Sequence, residues 1–125
     1  MKKLNLKKGK YYIGDPCYVI GGNDEEREKL LQETNNFEND IQFYKGYPIL
    51  IGNTADGDGI FKDNKGEVYG VDSGSIGIIP IVAIDHKFER LYCHVITFKE
   101  DFVAEIEDGL FKFGNRIIKT NIGWD

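Results

Sequence analysis

Between residues 54 and 80 the chain reads TADGDGIFKDNKGEVYGVDSGSIGIIP, with Gly57, Gly59, Gly66, Gly70, Gly74 and Gly77 set among Ile, Phe, Val and Tyr. Glycine frees the backbone to take positive φ and lets chain segments approach closely. The strand-forming residues between the glycines place those turns at strand ends. Asp56, Asp58, Asp63, Glu67 and Asp72 fall in the same stretch. It therefore predicts short antiparallel strands with carboxylates gathered at their corners.

The rest of the chain extends the pattern. Fifteen glycines, three prolines and 13% aromatic residues tilt the class towards β, because tight turns and half-buried strands use those residues. Strands are expected at Lys10–Ile13, Cys17–Ile20, Ile41–Tyr44, Tyr47–Asn53, Ile60–Lys62 and Glu67–Val71. Further strands are expected at Ser75–Ile84, Leu91–Phe98, Phe102–Glu107, Leu110–Phe113 and Arg116–Lys119. Ser75–Ile84 is apolar almost throughout, which predicts cover on both faces. Asp108-Gly109 is the clearest two-residue hairpin signal, and Asp63-Asn64-Lys65-Gly66 reads as a hairpin loop. Pro16 holds Asp15 in an extended corner. A single helix is expected over 24–34, with Asn23 as N-cap, Glu26 as its capping-box partner and Leu30 and Leu31 on its apolar side. The fold class that follows is α+β and strongly β-rich: a curled antiparallel sheet, small barrel or sandwich of eight or nine short strands with one covering helix. At 125 residues the chain is expected to form one domain, 1–125.

Charge narrows the partners. Five of the 16 basic residues lie in the first ten positions, so residues 11–125 carry 11 basic against 21 acidic residues, a balance of −10. Such a body repels a phosphate backbone, so no nucleic-acid partner is expected. The basic segment 1–10 reads as a solvated arm. It has the charge of a signal peptide without the apolar stretch that follows one, and no run is long enough to span a bilayer. A cytoplasmic protein without a membrane partner is the expectation. Cys17 and Cys93 make no disulfide framework.

Several patterns touch on chemistry. A calcium-binding EF-hand loop starting at Asp56 finds Glu67 in its twelfth position, but Ile60 and Phe61 stand in its fifth and sixth, where an oxygen ligand and glycine are needed. Val71-Asp72-Ser73-Gly74 matches the Asp-Ser-Gly signature of aspartic proteases, in which two carboxylates share a proton, so a chain this short would dimerise to supply the second. Cys17 with His86 or His94 would be a thiol and its base, although His94 is expected within an apolar strand face. The histidines lack the spacing of a zinc site, and glycine-rich phosphate loops are absent, so neither a metal nor a cofactor is expected.

Three pieces in order, Gly14-Asp15-Pro16-Cys17-Tyr18-Val19-Ile20, Thr54-Ala55-Asp56-Gly57-Asp58-Gly59 and Tyr69 to Pro80, give a layout that resembles a group of small uncharacterised bacterial and phage-encoded proteins. Those proteins share a GDPCY…GDG…VD(S/A)G pattern, matched here over roughly residues 11–80. Members often carry a tryptophan and a cysteine between the first two motifs. This chain has neither there, so no role resting on them carries over. The resemblance implies a β-rich single domain and supports grouping Asp15, Asp58 and Asp72.

The residues together point to a binding or interaction domain, its site built from Asp15, Tyr18, Asp56, Asp58, Asp72 and Ser73 and its partner a small molecule or a protein. No catalytic residue is assigned on this reading. The alternative is a hydrolase using Asp72 and Asp58 in a dimeric aspartic-protease-like site, or Cys17 as nucleophile. The sequence leaves the oligomeric state open.

Overall fold

A computed structural model describes residues 1–20, 28, 29, 32, 42–84 and 93–120. Their strands are β1 (Lys2–Leu6), β2 (Gly9–Gly14), β3 (Gln42–Tyr44), β4 (Tyr47–Asn53), β5 (Gly59–Lys62) and β6 (Val68–Val71). After these come β7 (Ser75–Pro80), β8 (His94–Phe98), β9 (Phe102–Glu107), β10 (Leu110–Phe113) and β11 (Arg116–Lys119). Every pairing is antiparallel. One sheet has the order β1-β9-β10-β11, a second β3-β4-β7-β2-β8, and β5 and β6 form a separate ribbon. The described residues form eleven strands where eight or nine were expected, and among them the sheets are not closed, so of the sheet, barrel or sandwich expected the barrel is not formed there.

Turn chemistry sets the registers. Asp108 and Gly109 both have positive φ, 49° and 79°, and Glu107 stands opposite Leu110. That is the mirror-image two-residue turn whose twist matches a hairpin. Lys45 and Gly46 repeat it between β3 and β4 with φ of 52° and 83°.

Alternation then builds two cores on opposite faces of the five-stranded sheet. Tyr11 and Ile13 of β2, Leu50 of β4, and Ile76 and Ile78 of β7 enter the first. There they meet Leu6, Ala104, Ile106, Phe111, Phe113 and Ile118 of the four-stranded sheet and Phe61, Tyr69 and Val71 of the ribbon. Tyr12, Ile49, Ile51 and Ile79, from the intervening positions, enter the second core with Val19, Ile20, Tyr44, Ala83 and Cys93. Each fully buried Ile or Leu contributes about 1.5–3 kcal/mol relative to exposure. The two-sided cover expected for the Ser75–Ile84 stretch is what β7 has.

Three expectations change. The basic segment is no solvated arm: Lys2–Leu6 pairs with β9, Lys2 opposite Ile106 and Leu6 opposite Phe102. Leu4 and Leu6 lie two apart and so share one strand face, and both pack on the first core. Cys17–Ile20 is not a strand, because Pro16–Tyr18 forms one turn of 3-10 helix capped by the Asp15 carboxylate. The apolar run after β7 likewise ends in a 3-10 turn, Ile81–Ala83. The helix expected over 24–34 falls outside the described residues except for Glu28, Lys29 and Gln32, which are exposed. Among the described residues no helix is long and apolar enough to cross a membrane.

Candidate functional site

The site is built on the end of β2. At Gly14, φ is +157° and a Cβ would lie 2.7 Å from that of Cys93, so only glycine lets the strand pass and turn. Asp15 follows with φ −66° and ψ 122°, the extended conformation that a following proline imposes. Its carbonyl accepts the buried Tyr12 hydroxyl at 2.6 Å. Burial first, then the neighbouring Cys93, Asp15 and Cys17, push the Tyr12 phenol far above its usual pKa.

The Asp15 side chain is fully buried, and both of its oxygens are engaged. Oδ2 accepts the backbone N–H groups of Asp72 at 2.6 Å and Ser73 at 2.8 Å. Oδ1 accepts the Ser73 hydroxyl at 2.6 Å and the Cys17 N–H at 2.9 Å. A buried carboxylate is tolerated only when its charge is met by donors, and here four donors meet it. Asp15 therefore ties the Pro16–Tyr18 turn to the β6–β7 connection and offers its charge inward.

Outside this clamp, Asp72 is exposed and accepts the Tyr18 hydroxyl on Oδ2. That hydrogen bond, with a smaller contribution from desolvation, raises the Tyr18 pKa well above that of a free phenol. Tyr18 itself is 37% exposed, so its ring faces solvent beside the carboxylate. Asp58 approaches from the other side: its Oδ1 is 3.8 Å from where a Cβ would stand on Gly74. The loop carrying it is strapped down by Thr54, whose N–H donates to Gly74 O at 2.9 Å and whose hydroxyl donates to Gly57 O at 2.5 Å. Asp56 is exposed in the same loop. The fold thus brings Asp15, Tyr18, Asp72 and Ser73 into direct contact, with Asp58 beside them.

Other candidates are placed differently. His94 does not point into an apolar environment. Its Nε2 is 2.8 Å from the Val68 carbonyl oxygen and its Nδ1 3.4 Å from Glu67 Oε2, while its ring meets Tyr69 edge-to-face. Cys17 is partly exposed and Cys93 buried, and His86 lies outside the described residues. Among the described residues no group of three or more His, Cys, Asp or Glu side chains is placed to hold a metal ion.

Sequence reasoning missed a second buried carboxylate. Asp63, read as part of a turn, accepts Lys65 N–H at 2.8 Å and Glu67 N–H at 3.0 Å on Oδ1, and the Tyr69 hydroxyl at 2.7 Å and Arg116 Nη1 at 2.6 Å on Oδ2. The turn was visible in Asp63-Asn64-Lys65-Gly66. Arg116 lies 53 residues away, and no local pattern announces it.

Comparison with protein-family models, with curated proteins and with solved structures finds no match for this chain.

Proposed function

We propose that the chain is a non-catalytic binding module whose ligand face is the corner formed by Tyr18, Asp58, Asp72 and Ser73, with Asp56 at its rim. One observation carries the reading: the buried Asp15 carboxylate accepts four hydrogen bonds that hold the two sides of this corner together, leaving the Asp72 carboxylate and the Tyr18 ring outward. A preorganised carboxylate beside an aromatic face suits a cationic, hydrogen-bond-donating group, through charge pairing and attraction to the ring. Such a group belongs to an amine-bearing small molecule or to a lysine or arginine of a protein partner. Binding is favoured over hydrolysis because Asp72 Oδ2 is already engaged by the Tyr18 hydroxyl, which suits a fixed recognition group better than a carboxylate that must exchange a proton.

The test is titration of the isotope-labelled protein with spermidine and with lysine amide, followed by amide resonances. Shifts at Tyr18, Asp58, Asp72 and Gly74 that disappear in Asp72→Asn, with an unchanged melting temperature, are expected. Peptide cleavage abolished by Asp72→Asn would overturn the reading in favour of a hydrolase.

A further inference from the structure

The chain holds the same dipeptide at Asp56-Gly57, Asp58-Gly59 and Asp108-Gly109. An aspartyl-glycine pair rearranges without an enzyme. The glycine backbone nitrogen attacks the side-chain carboxyl carbon of the aspartate, and the amide hydrogen and the carboxyl hydroxyl leave as water, closing a succinimide ring. Water then opens that ring at either carbonyl. One opening restores aspartate, and the other leaves the backbone running through the side-chain carbon as isoaspartate. The net change is an isomerisation that consumes no oxidant and no second substrate. Glycine favours the attack, because no Cβ shields its nitrogen and its backbone turns freely. Ring closure also requires the aspartyl-glycine peptide to swing about the aspartate Cα, so the fold decides which pair reacts.

Asp108-Gly109 is locked. Both residues hold positive φ in the β9–β10 turn. Gly109 O accepts the Thr120 N–H at 2.8 Å and the Thr120 hydroxyl at 2.7 Å. The Ala55 Cβ and Thr120 Oγ1 each lie 2.7 Å from where a Cβ would stand on Gly109. Asp58-Gly59 is held by the ribbon: Gly59 lies in β5 opposite Val71, with the Phe61 ring 3.3 Å from its Cβ position. Asp56-Gly57 lies in neither a strand nor a hairpin turn, and Asp56 is exposed. Gly57 has φ +72° and nothing within 4 Å of its Cβ position. The anchors of this loop grip its flanks. They are the Thr54 N–H on Gly74 O, the Ala55 N–H on Thr120 Oγ1, and the Gly57 carbonyl oxygen under the Thr54 hydroxyl. Among the described residues no hydrogen bond engages the Asp56 carboxyl or the Gly57 N–H, the two groups that must meet.

We propose that Asp56-Gly57 is a site of spontaneous isoaspartate formation in the folded protein, and that the fold protects the other two pairs. Isoaspartate inserts a methylene into the backbone between the anchors at Ala55 and Gly57. It therefore displaces the loop that carries Asp58 beside Gly74. The consequence for ligand binding rests on the corner reading above; the modification itself does not.

Protein aged in warm, mildly alkaline buffer, either folded or in urea, tests the proposal. Isoaspartyl groups are counted by methyl transfer from S-adenosylmethionine with an isoaspartyl methyltransferase, and located by fragmentation mass spectrometry of proteolytic peptides. In the folded protein most isoaspartate should lie at Asp56, whereas in urea the three pairs should react at comparable rates. Asp56→Glu keeps the charge but closes the corresponding larger ring poorly. It should lose the folded-state signal while its amide spectrum keeps the wild-type pattern. Isoaspartate spread over the three pairs as evenly as in urea, concentrated at Asp58 or Asp108, or absent from Asp56 would overturn the proposal. Spermidine shifts at Asp58 and Gly74 should be lost from aged protein, and shifts that persist would overturn the displacement of Asp58. Isoaspartate at Asp56 in a protein whose fresh form spermidine does not shift would support the modification site while counting against the corner.

Discussion

The Ser73 hydroxyl donates to the Asp15 carboxylate at 2.6 Å across 58 positions of sequence. Together with the two backbone N–H groups on the other oxygen, it makes Asp15 the structural centre of the corner. Asp15→Asn places an amide N–H2 in front of groups that are themselves donors. It should destabilise the fold by about 2–5 kcal/mol, as for loss of hydrogen bonds to a buried charge. Asp72→Asn, at an exposed position, should stay within about 0.5 kcal/mol of wild type. Urea denaturation of both variants checks the contrast, and equal effects would remove the distinction between clamp and surface.

The Tyr18–Asp72 pair has an alkaline signature. The carboxylate hydrogen bond favours the neutral phenol and so raises the pKa of Tyr18. In Asp72→Ala this contribution is lost, and Tyr18 should ionise at lower pH than in wild type. Phenolate absorbance, with Tyr18→Phe as the assignment control, reads the shift.

Acid stability should depend on Asp63. Burial alone would raise its pKa, but Arg116, Tyr69 and the Lys65 and Glu67 amides outweigh that and lower it. A folded-state pKa below the unfolded value of about 3.9 means that the contribution is present above that value and lost as pH falls through the folded-state pKa. Wild type should therefore lose stability on acidification more steeply than Asp63→Asn, as read from urea midpoints across the acid range. Arg116→Met, which leaves the carboxylate buried without its cation, should cost about 3–5 kcal/mol at neutral pH.

Two glycines with similar backbone should respond differently to alanine. Gly66 has φ +87° and open space where a Cβ would go, whereas Gly109 has φ +79° and would meet both Ala55 and Thr120 at 2.7 Å. Gly66→Ala should cost about 1–2 kcal/mol from left-handed strain alone. Gly109→Ala adds overpacking of about 1–3 kcal/mol. Thermal melts of the two variants decide it.

His94 should not serve as a base for Cys17. The imidazole of His94 is occupied by Val68 O and Glu67, so it should not activate the sulfur. Alkylation of Cys17 at neutral pH should proceed at the same rate in wild type and His94→Ala. A clear slowing in the variant would revive nucleophilic chemistry.

What the sequence determined by itself was local. Alternating apolar residues and the Asp108-Gly109 turn set the bounds of Tyr47–Asn53, Phe102–Glu107, Leu110–Phe113 and Arg116–Lys119 as the structure has them, because strand period and turn sterics act over a few residues. The extended corner at Asp15 was legible for the same reason, since Pro16 imposes it on its neighbour. Tertiary structure decided everything that depends on distant partners. The basic first residues became β1 because Leu4 and Leu6 found a core face beside β9. Asp15 turned inward as a clamp while Asp72, an equally plausible acid in the sequence, stayed outward. Asp63 acquired Arg116, and His94 acquired Glu67. A carboxylate's role follows from which donors surround it and how much water is excluded, and neither is encoded within a few residues of the acid itself.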